Sequence, residues 1–409
     1  MEASYPIRPV SMSELPQFMR AGEHAFNSNW PADEFTEIER KVFEPERSLA
    51  AFDGDEIIGT ATVMSFDMIV PGGEVGAAGV TGVAVLPSHR RRGVLTSLMR
   101  TQLADIAVGP EPVAALFASE SVIYGRFGYG PASGQLRYEV NRGEGAISVP
   151  SGAPKLRIVE PRASAASLKQ VYDAVRLTRP GMMSRNQAYW DVTFADPPFF
   201  RDGNSPQRCL LAADDSGPLG YALYATKPDW TEGATIDVDE LFAADHATLA
   251  ALWADLLSRD LAGPVIARSR PVDDPLLHLL ADPRRTRARY TDGLWVRLID
   301  LPAALTARSY SAAVDVVIEV ADDWLPANAG RWRLVAGGPA DGTKPSCERT
   351  TAEPDLRMPV SALGAGYLGG TRLGGLAAAG LITQDRAGAV AALSTAMWWD
   401  PAPWAATHF

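Results

Sequence analysis

Apolar positions along the chain fall into short blocks whose spacing changes at each turn signal. Arg47 to Phe52 and Ile57 to Val63 are apolar runs separated by Asp53-Gly54-Asp55-Glu56. A glycine in such a turn takes positive φ without steric cost, so this stretch predicts a β-hairpin. Ala78 to Leu86 reads as a buried strand, Gly93 to Ile106 as a helix, and Val113 to Ala118 as another buried strand. Strand, turn, helix, strand is an α/β pattern. Two breaks interrupt the periodic material. Ser148-Val149-Pro150-Ser151-Gly152-Ala153-Pro154 reads as a linker, and after Asp282-Pro283-Arg284-Arg285 the stretch Tyr290 to Leu301 reads as an extended apolar segment leading into new material.

A faint internal repeat supports this partition. Arg208-Cys209-Leu210-Leu211-Ala212-Ala213-Asp214-Asp215, followed by Leu219-Gly220-Tyr221-Ala222, echoes Arg47-Ser48-Leu49-Ala50-Ala51-Phe52-Asp53-Gly54 followed by Ile58-Gly59-Thr60-Ala61. The offset is far too long for a solenoid and fits one duplicated domain. In the last block Gly and Ala dominate Ala362 to Gly380, but no Lys-Ser/Thr follows the glycines, so tight packing of a helix and its turns is the reading.

Composition narrows the chemistry. A chain of 409 residues holds two or three domains at ~100 to 200 residues each. With 46% hydrophobic and 21% charged residues it is globular, not disordered. No uncharged apolar run reaches the ~18 residues a bilayer needs, and Glu2 spoils a basic leader, so a cytoplasmic protein without signal peptide or membrane span is expected. Cys209 and Cys347 are too few for a disulfide framework or a thiolate zinc site, and the five histidines lack metal-ligand spacing, so no structural metal is expected. The net charge of −11 repels nucleic acid and favours a cationic small molecule.

The sharpest signal is Val83-Ala84-Val85-Leu86-Pro87-Ser88-His89-Arg90-Arg91-Arg92-Gly93-Val94-Leu95-Thr96, a strand running into a basic, glycine-containing turn and then a helix. Amides at a helix start lack intrahelical partners, the helix dipole favours an anion there, and Gly93 admits close approach of a phosphate.

These residues resemble the GNAT superfamily of acetyl-CoA-dependent N-acetyltransferases, whose pyrophosphate loop reads Arg/Gln-x-x-Gly-x-Gly/Ala; Arg90 and Gly93 match it and Leu95 departs from its last position. Ala118-Ser119-Glu120 and Ile123-Tyr124-Gly125-Arg126-Phe127-Gly128-Tyr129-Gly130 resemble the segment of the enhanced intracellular survival (Eis) acetyltransferases, and Asp292-Gly293-Leu294-Trp295-Val296-Arg297 with Leu301-Pro302-Ala303-Ala304-Leu305 resembles the start of that family's third domain. The resemblance covers essentially the whole chain. It implies an α/β fold with mixed sheets: an active GNAT domain over 1–148, a degenerate GNAT-like domain over 154–288 and a sterol-carrier-protein-like domain over 289–409, assembled as a homo-hexamer. It also implies acetyl-CoA contacts at Val83, Ala84 and Val85, at Arg91, Arg92, Gly93, Val94, Leu95 and Thr96, and at Ser119 and Glu120.

By the same resemblance Tyr124 is the general acid, and the carboxylate of the terminal residue, Phe409, accepts a proton from the attacking amine. A phenol of pKa ~10 suits a departing thiolate, and a terminal carboxylate of pKa ~3.3 to 3.7 is ionised at neutral pH. In the second copy the stretch aligned with the phosphate turn, Ala243-Ala244-Asp245-His246-Ala247-Thr248, has lost the arginines and glycine, so that copy is expected to be structural. Asp33, Glu34, Glu37 and Glu39 could attract a polyamine, and Ser28 and Gly82 stand where pocket-lining positions are expected. Direct transfer is expected, because neither cysteine lies in the first block or has a histidine beside it. Small polycationic amines and protein lysines both fit as acceptors, whereas a lipid or acyl carrier is disfavoured by the intact Arg90-to-Gly93 turn and Tyr124.

Overall fold

The computed structural model describes residues 5–28, 31–231, 233–339 and 342–409. Its first strands are β1 (Ile7–Pro9), β2 (Leu49–Asp53), β3 (Glu56–Val70), β4 (Gly73–Val85), β5 (Val113–Phe117), β6 (Gly130–Pro131) and β7 (Gly134–Val140). Next come β8 (Lys155–Val159), β9 (Arg208–Asp214), β10 (Gly217–Lys227), β11 (Ala234–Ala243), β12 (Ala262–Pro271), β13 (Arg289–Asp292) and β14 (Leu294–Leu298). Helices α1 (Leu15–Phe26), α2 (Ala32–Glu39), α3 (Val94–Ala107), α4 (Ser121–Tyr124), α5 (Ala165–Arg176), α6 (Gln187–Thr193) and α7 (His246–Ser258) accompany them.

Local rules account for the elements around the site. Gly54 sits at φ +59° and lets Asp53 pair with Glu56, closing the expected β2–β3 hairpin. Gly93 takes φ +84° at the start of α3, which then buries Val94, Leu98, Met99, Leu103 and Ile106 on one face at helical spacing.

The duplication is visible in the sheets. The first has the order β1-β2-β3-β4-β5-β14-β6; the second, read from its other edge, has the order β8-β9-β10-β11-β12-β7-β13. The β2–β3 and β9–β10 hairpins, which echo each other in sequence, occupy equivalent places.

The segment after the second break differs from its expectation. Tyr290 to Leu301 does not run as one extended element into new material. It changes sheets at Gly293, with β13 pairing β7 in the second sheet and β14 lying between β5 and β6 in the first. The chain from β6 into β7 makes the reciprocal change, so 130–140 and 289–298 form one antiparallel ribbon crossing both halves. The physical reason is edge completion: every residue of β14 is buried, and only insertion between two strands pairs both sides of its backbone. Arg297 thereby enters the core, where Asp322 pairs with it at 2.7 Å. Segment boundaries at 148, 154 and 289 therefore do not separate the sheets: β7 serves the second, and β13 and β14 serve earlier sheets.

The last sheet, in the order Ser346–Arg349, Gly330–Ala336, Val314–Ala321, Leu356–Pro359, Thr383–Gln384, shares an apolar core with the first. Helix Val360–Tyr367 lies directly on β6 and β14; a Cβ at Gly364 would strike the Val296 carbonyl and one at Gly130 the Ser361 carbonyl. The Gly/Ala run from 362 is thus used for close packing. Among the described residues no helix is long and apolar enough to cross a membrane.

Candidate active site

Two clefts meet on β4. The strand pairs with β3 along its length, with a bulge at Thr60–Thr62 opposite Gly82, but pairs with β5 only from Ala77 to Gly79. Beyond Gly79 the strands diverge, leaving the β5-facing backbone groups of the remainder of β4 outside that ladder. A cleft of about 700 Å³ opens there, lined by Val83, Ala84, Val85, Arg91, Gly93, Val94, Leu95, Thr96, Ser119, Glu120 and Tyr124. Of the residues expected to hold acetyl-CoA only Arg92 is absent from this lining. Its Nη1 donates instead to the Tyr5 hydroxyl at 3.1 Å, because the turn aims consecutive side chains apart. His89, Arg90, Ile123 and Arg126 also line the cleft; they fall within the motifs read from the sequence but were not among the expected acetyl-CoA contacts, and the end of α1 at Ala25 to Asn27, which lines it too, carried no sequence signal.

The turn from Arg90 to Gly93 is shaped for an anion. Arg91 takes φ +63° and Gly93 +84°, an arrangement that turns backbone N–H groups towards the cleft at the start of α3. Buried His89 anchors the turn between Asp53 (3.2 Å) and Ser88 (2.9 Å). Arg90 Nη2 donates to the Ala25 carbonyl at 3.3 Å, whereas Arg91 has no hydrogen-bond or ion-pair partner among the described residues, leaving its charge for a ligand.

Tyr124 ends α4 with only 5% of its surface exposed. Burial pushes its phenol above the ordinary value, the Ser119 hydroxyl offsets this, and the charge of Glu120 adds to the rise. Tyr129 packs edge-on against it at 6.3 Å, is wholly buried, and does not line the cleft.

A second cavity of about 470 Å³ abuts the first across Phe26 and the Gly82–Val83 step. Ser28 and Gly82 line it. Of the four acids on the chain 33–39 only Glu39 does, because α2 turns the others to solvent; Glu23 of α1 joins it. Apolar surroundings hold the Glu39 carboxyl up to about 7. Tyr189, Val192 and Phe200 close the cavity from the middle of the chain. The tail enters the same cavity: the Phe409 ring lies 5.0 Å from Phe66 and 5.4 Å from Phe117, over Gly79, where β4 and β5 part. Cys209 and Cys347 are buried away from both cavities, with burial pushing each thiol up to about 12. Among the described residues no cluster of His, Cys, Asp or Glu is arranged to hold a metal ion.

A family profile described as an acetyltransferase (GNAT) domain matches residues 6–132, a second GNAT profile matches 181–298, and a sterol carrier protein profile matches 301–406. An N-acetyltransferase Eis from Mycobacterium tuberculosis is 37% identical over 343 residues, covering 81% of each chain. The chain belongs to the Eis family of N-acetyltransferases. An uncharacterised N-acetyltransferase of Streptomyces coelicolor is 44% identical, with 91% of this chain and 92% of the relative covered. The crystal structure of Eis1 from Mycobacterium abscessus superposes with a TM-score of 0.83 at 34% identity, covering 99% of this chain and 100% of that one. This Eis-family enzyme is therefore an acetyl-CoA-dependent N-acetyltransferase built from two GNAT domains and a sterol-carrier-like domain. In its second GNAT half the turn between β11 and α7 carries Asp245, whose carboxylate accepts from the Thr248 amide at 2.8 Å and fills the anion position with its own charge.

Proposed function

We propose that the enzyme transfers acetyl from acetyl-CoA to a primary amine of a polycationic small molecule, of the aminoglycoside or polyamine kind, by direct attack. The observation that supports this best is the junction of the two cavities on β4, with a phenol on one side and a chain-terminal residue on the other. In this reading the Arg91-to-Thr96 turn holds the diphosphate, while the Val83–Val85 backbone pairs with pantetheine amides and donates to the thioester oxygen as charge develops there. Ser119 and Glu120 flank the thioester. The amine nitrogen attacks the carbonyl carbon and its proton passes to the Phe409 carboxylate, directly or through water. The carbon–sulfur bond then breaks and Tyr124 protonates the thiolate. The sequence segments 1–148, 154–288 and 289–409 take the active, supporting and tail-delivering roles, in a cytoplasmic enzyme that assembles as a homo-hexamer. A thiol-release assay with acetyl-CoA across aminoglycosides, polyamines and lysine peptides tests the reading; turnover only with lysine peptides would replace it with protein acetylation.

Two further outcomes follow from the clefts. Arg91→Glu is expected to weaken acetyl-CoA binding by about 1.5 to 3 kcal/mol, the contribution of a charge-assisted hydrogen bond, while Arg284→Glu, on the exposed turn after the second break, leaves it unchanged. Calorimetric titration measures both, and equal losses would remove Arg91 from the site.

Glu39 gives a pH signature. Its carboxyl, held up to about 7, is charged above that pH and neutral below it, so attraction for an ammonium fades as pH falls through 7. Glu23, His408 and Phe409 line the same cavity and face the same acceptor. The KM for a polyamine is expected to rise on acidification below pH 7, with the rise largely gone in Glu39→Gln. A Glu39→Gln profile parallel to that of the parent enzyme would exclude Glu39 from acceptor binding.

A further inference from the structure

The last residues, Trp404 to Phe409, are held by a polar network contributed by the middle of the chain. Arg185 donates from Nε to the Thr407 hydroxyl at 2.9 Å and from Nη2 to Glu240 at 2.6 Å. The Thr407 hydroxyl lies 2.7 Å from the Tyr172 hydroxyl, and Tyr172 donates to the Met183 carbonyl at 2.7 Å. Only one proton order satisfies these contacts. The single Tyr172 proton goes to Met183, so Tyr172 accepts from Thr407, and the Thr407 oxygen accepts from Arg185. Glu240 is fixed in turn by the Tyr221 hydroxyl at 2.9 Å, and the Tyr189 hydroxyl donates to the His408 carbonyl.

This network is anchored to the first sheet. Met183 bridges Met68 of β3, Ser184 donates its amide to the Asp67 carbonyl at 2.7 Å, and Ile69 donates its amide to Met182 at 2.9 Å. Residues 181–184 therefore tie Arg185 to the strand that pairs with β4 along its length.

We propose that Arg185, Tyr172 and Tyr189 form a latch that sets the depth to which the C-terminal tail enters the acceptor cavity, making them positioning residues for the Phe409 carboxylate. This rests on reading that carboxylate as the proton acceptor. The Trp404 amide donates to the Pro180 carbonyl at 2.9 Å and its indole to Ser269 at 3.2 Å, which fixes the start of the tail; beyond it the Phe409 ring makes apolar contacts that tolerate sliding, since apolar attraction has no direction. A hydroxyl that must both accept from Arg185 and donate to Tyr172 exists on the tail only at Thr407, with Ala406 before it and His408 after it. Slippage by one residue would move the carboxylate by ~3.5 Å and leave a buried guanidinium short of an acceptor. Burying an ion pair costs desolvation that apolar residues of the same size avoid, so Arg185–Glu240 fits a role in register better than one in stability. The GNAT half that lost its anion turn thus has a place in the reaction.

Thr407→Val keeps the shape and removes the hydroxyl; Thr407→Ser restores it; Tyr172→Phe breaks the same relay from the other side. Two readouts are taken: steady-state kinetics, and the rate at which carboxypeptidase A releases Phe409 from the full-length protein. Thr407→Val and Tyr172→Phe are expected to lower kcat by roughly ten- to hundredfold, as displacement of a catalytic group does, with the KM for acetyl-CoA unchanged and Phe409 released faster. Thr407→Ser is expected to return both readouts towards the parent values. Release and turnover both unchanged in Thr407→Val and Tyr172→Phe would overturn the latch. Faster release with full turnover would overturn its positioning role. A chain extended beyond Phe409 that keeps full turnover would instead reject the carboxylate as base, a failure separable from the latch because release by the peptidase does not depend on catalysis.

Discussion

Extending the chain by a few residues beyond Phe409 is expected to lower acetyl transfer by roughly 10²-fold or more, the scale of lost acid–base catalysis and misplacement, while acetyl-CoA still binds. The added residues leave the Phe409 ring in place over Gly79 and convert its carboxylate into an amide, which neither carries charge nor accepts a proton at neutral pH. Deleting Phe409 moves the carboxylate onto His408, one residue or ~3.5 Å short, and removes the ring that packs on Phe66 and Phe117. Both variants are expected to fold, because the tail's own core contact, Trp404, precedes the change and remains buried. His408 lines the same cavity with its ring on Phe117 at 4.3 Å and stays in place in the extended chain, so that variant removes the carboxylate alone. Calorimetry for acetyl-CoA beside a thiol-release assay separates binding from transfer. An extended chain with parental turnover would move the search for the base to Glu39 or Glu120.

Tyr124→Phe is the second large effect. The substitution keeps a ring that is already buried and removes only the hydroxyl, so the loss is expected in kcat, at ~10² to 10⁴-fold, with little change in KM for acetyl-CoA. Burial raises the Tyr124 phenol above its ordinary value, so the proton stays on it through neutral and mildly alkaline pH, and no alkaline decline in rate from this group is expected below pH ~10. Tyr129→Phe is the matched control. Its hydroxyl is buried without a hydrogen-bond partner and lies outside the cleft, so its removal is expected to spare turnover. Loss of kcat in Tyr129→Phe with full kcat in Tyr124→Phe would exchange the two phenols.

The parts legible in sequence are those whose signal is local. Strand, basic turn and helix from Val83 to Ile106 are contiguous, so the anion-shaped turn follows from its residues and from Gly93 at positive φ. The β2–β3 hairpin and its echo in β9–β10 are likewise consecutive residues, and the echo carries the duplication. The roles proposed for Tyr124 and Phe409 rest on the resemblance; composition and spacing alone would leave both as ordinary aromatic residues.

The second cavity belongs to another class, since α1, α2, β3, β4, α6 and the chain end each contribute to it and no window of sequence contains them together. Which of four nearby acids faces inward depends on how α2 packs, and the aim of Arg92 depends on Tyr5, far away in the chain. The change of sheets at Gly293 was hidden for a related reason: an apolar run reports that a strand is buried, not which strands bury it. Hydrophobic pattern and turn chemistry therefore determined this protein's elements, its duplicated plan and its anion turn, all set by neighbours in the chain. Long-range packing decided the shared ribbon, the second cavity and the placement of the tail, because buried backbone groups and the Arg185 charge find their partners only where distant segments meet.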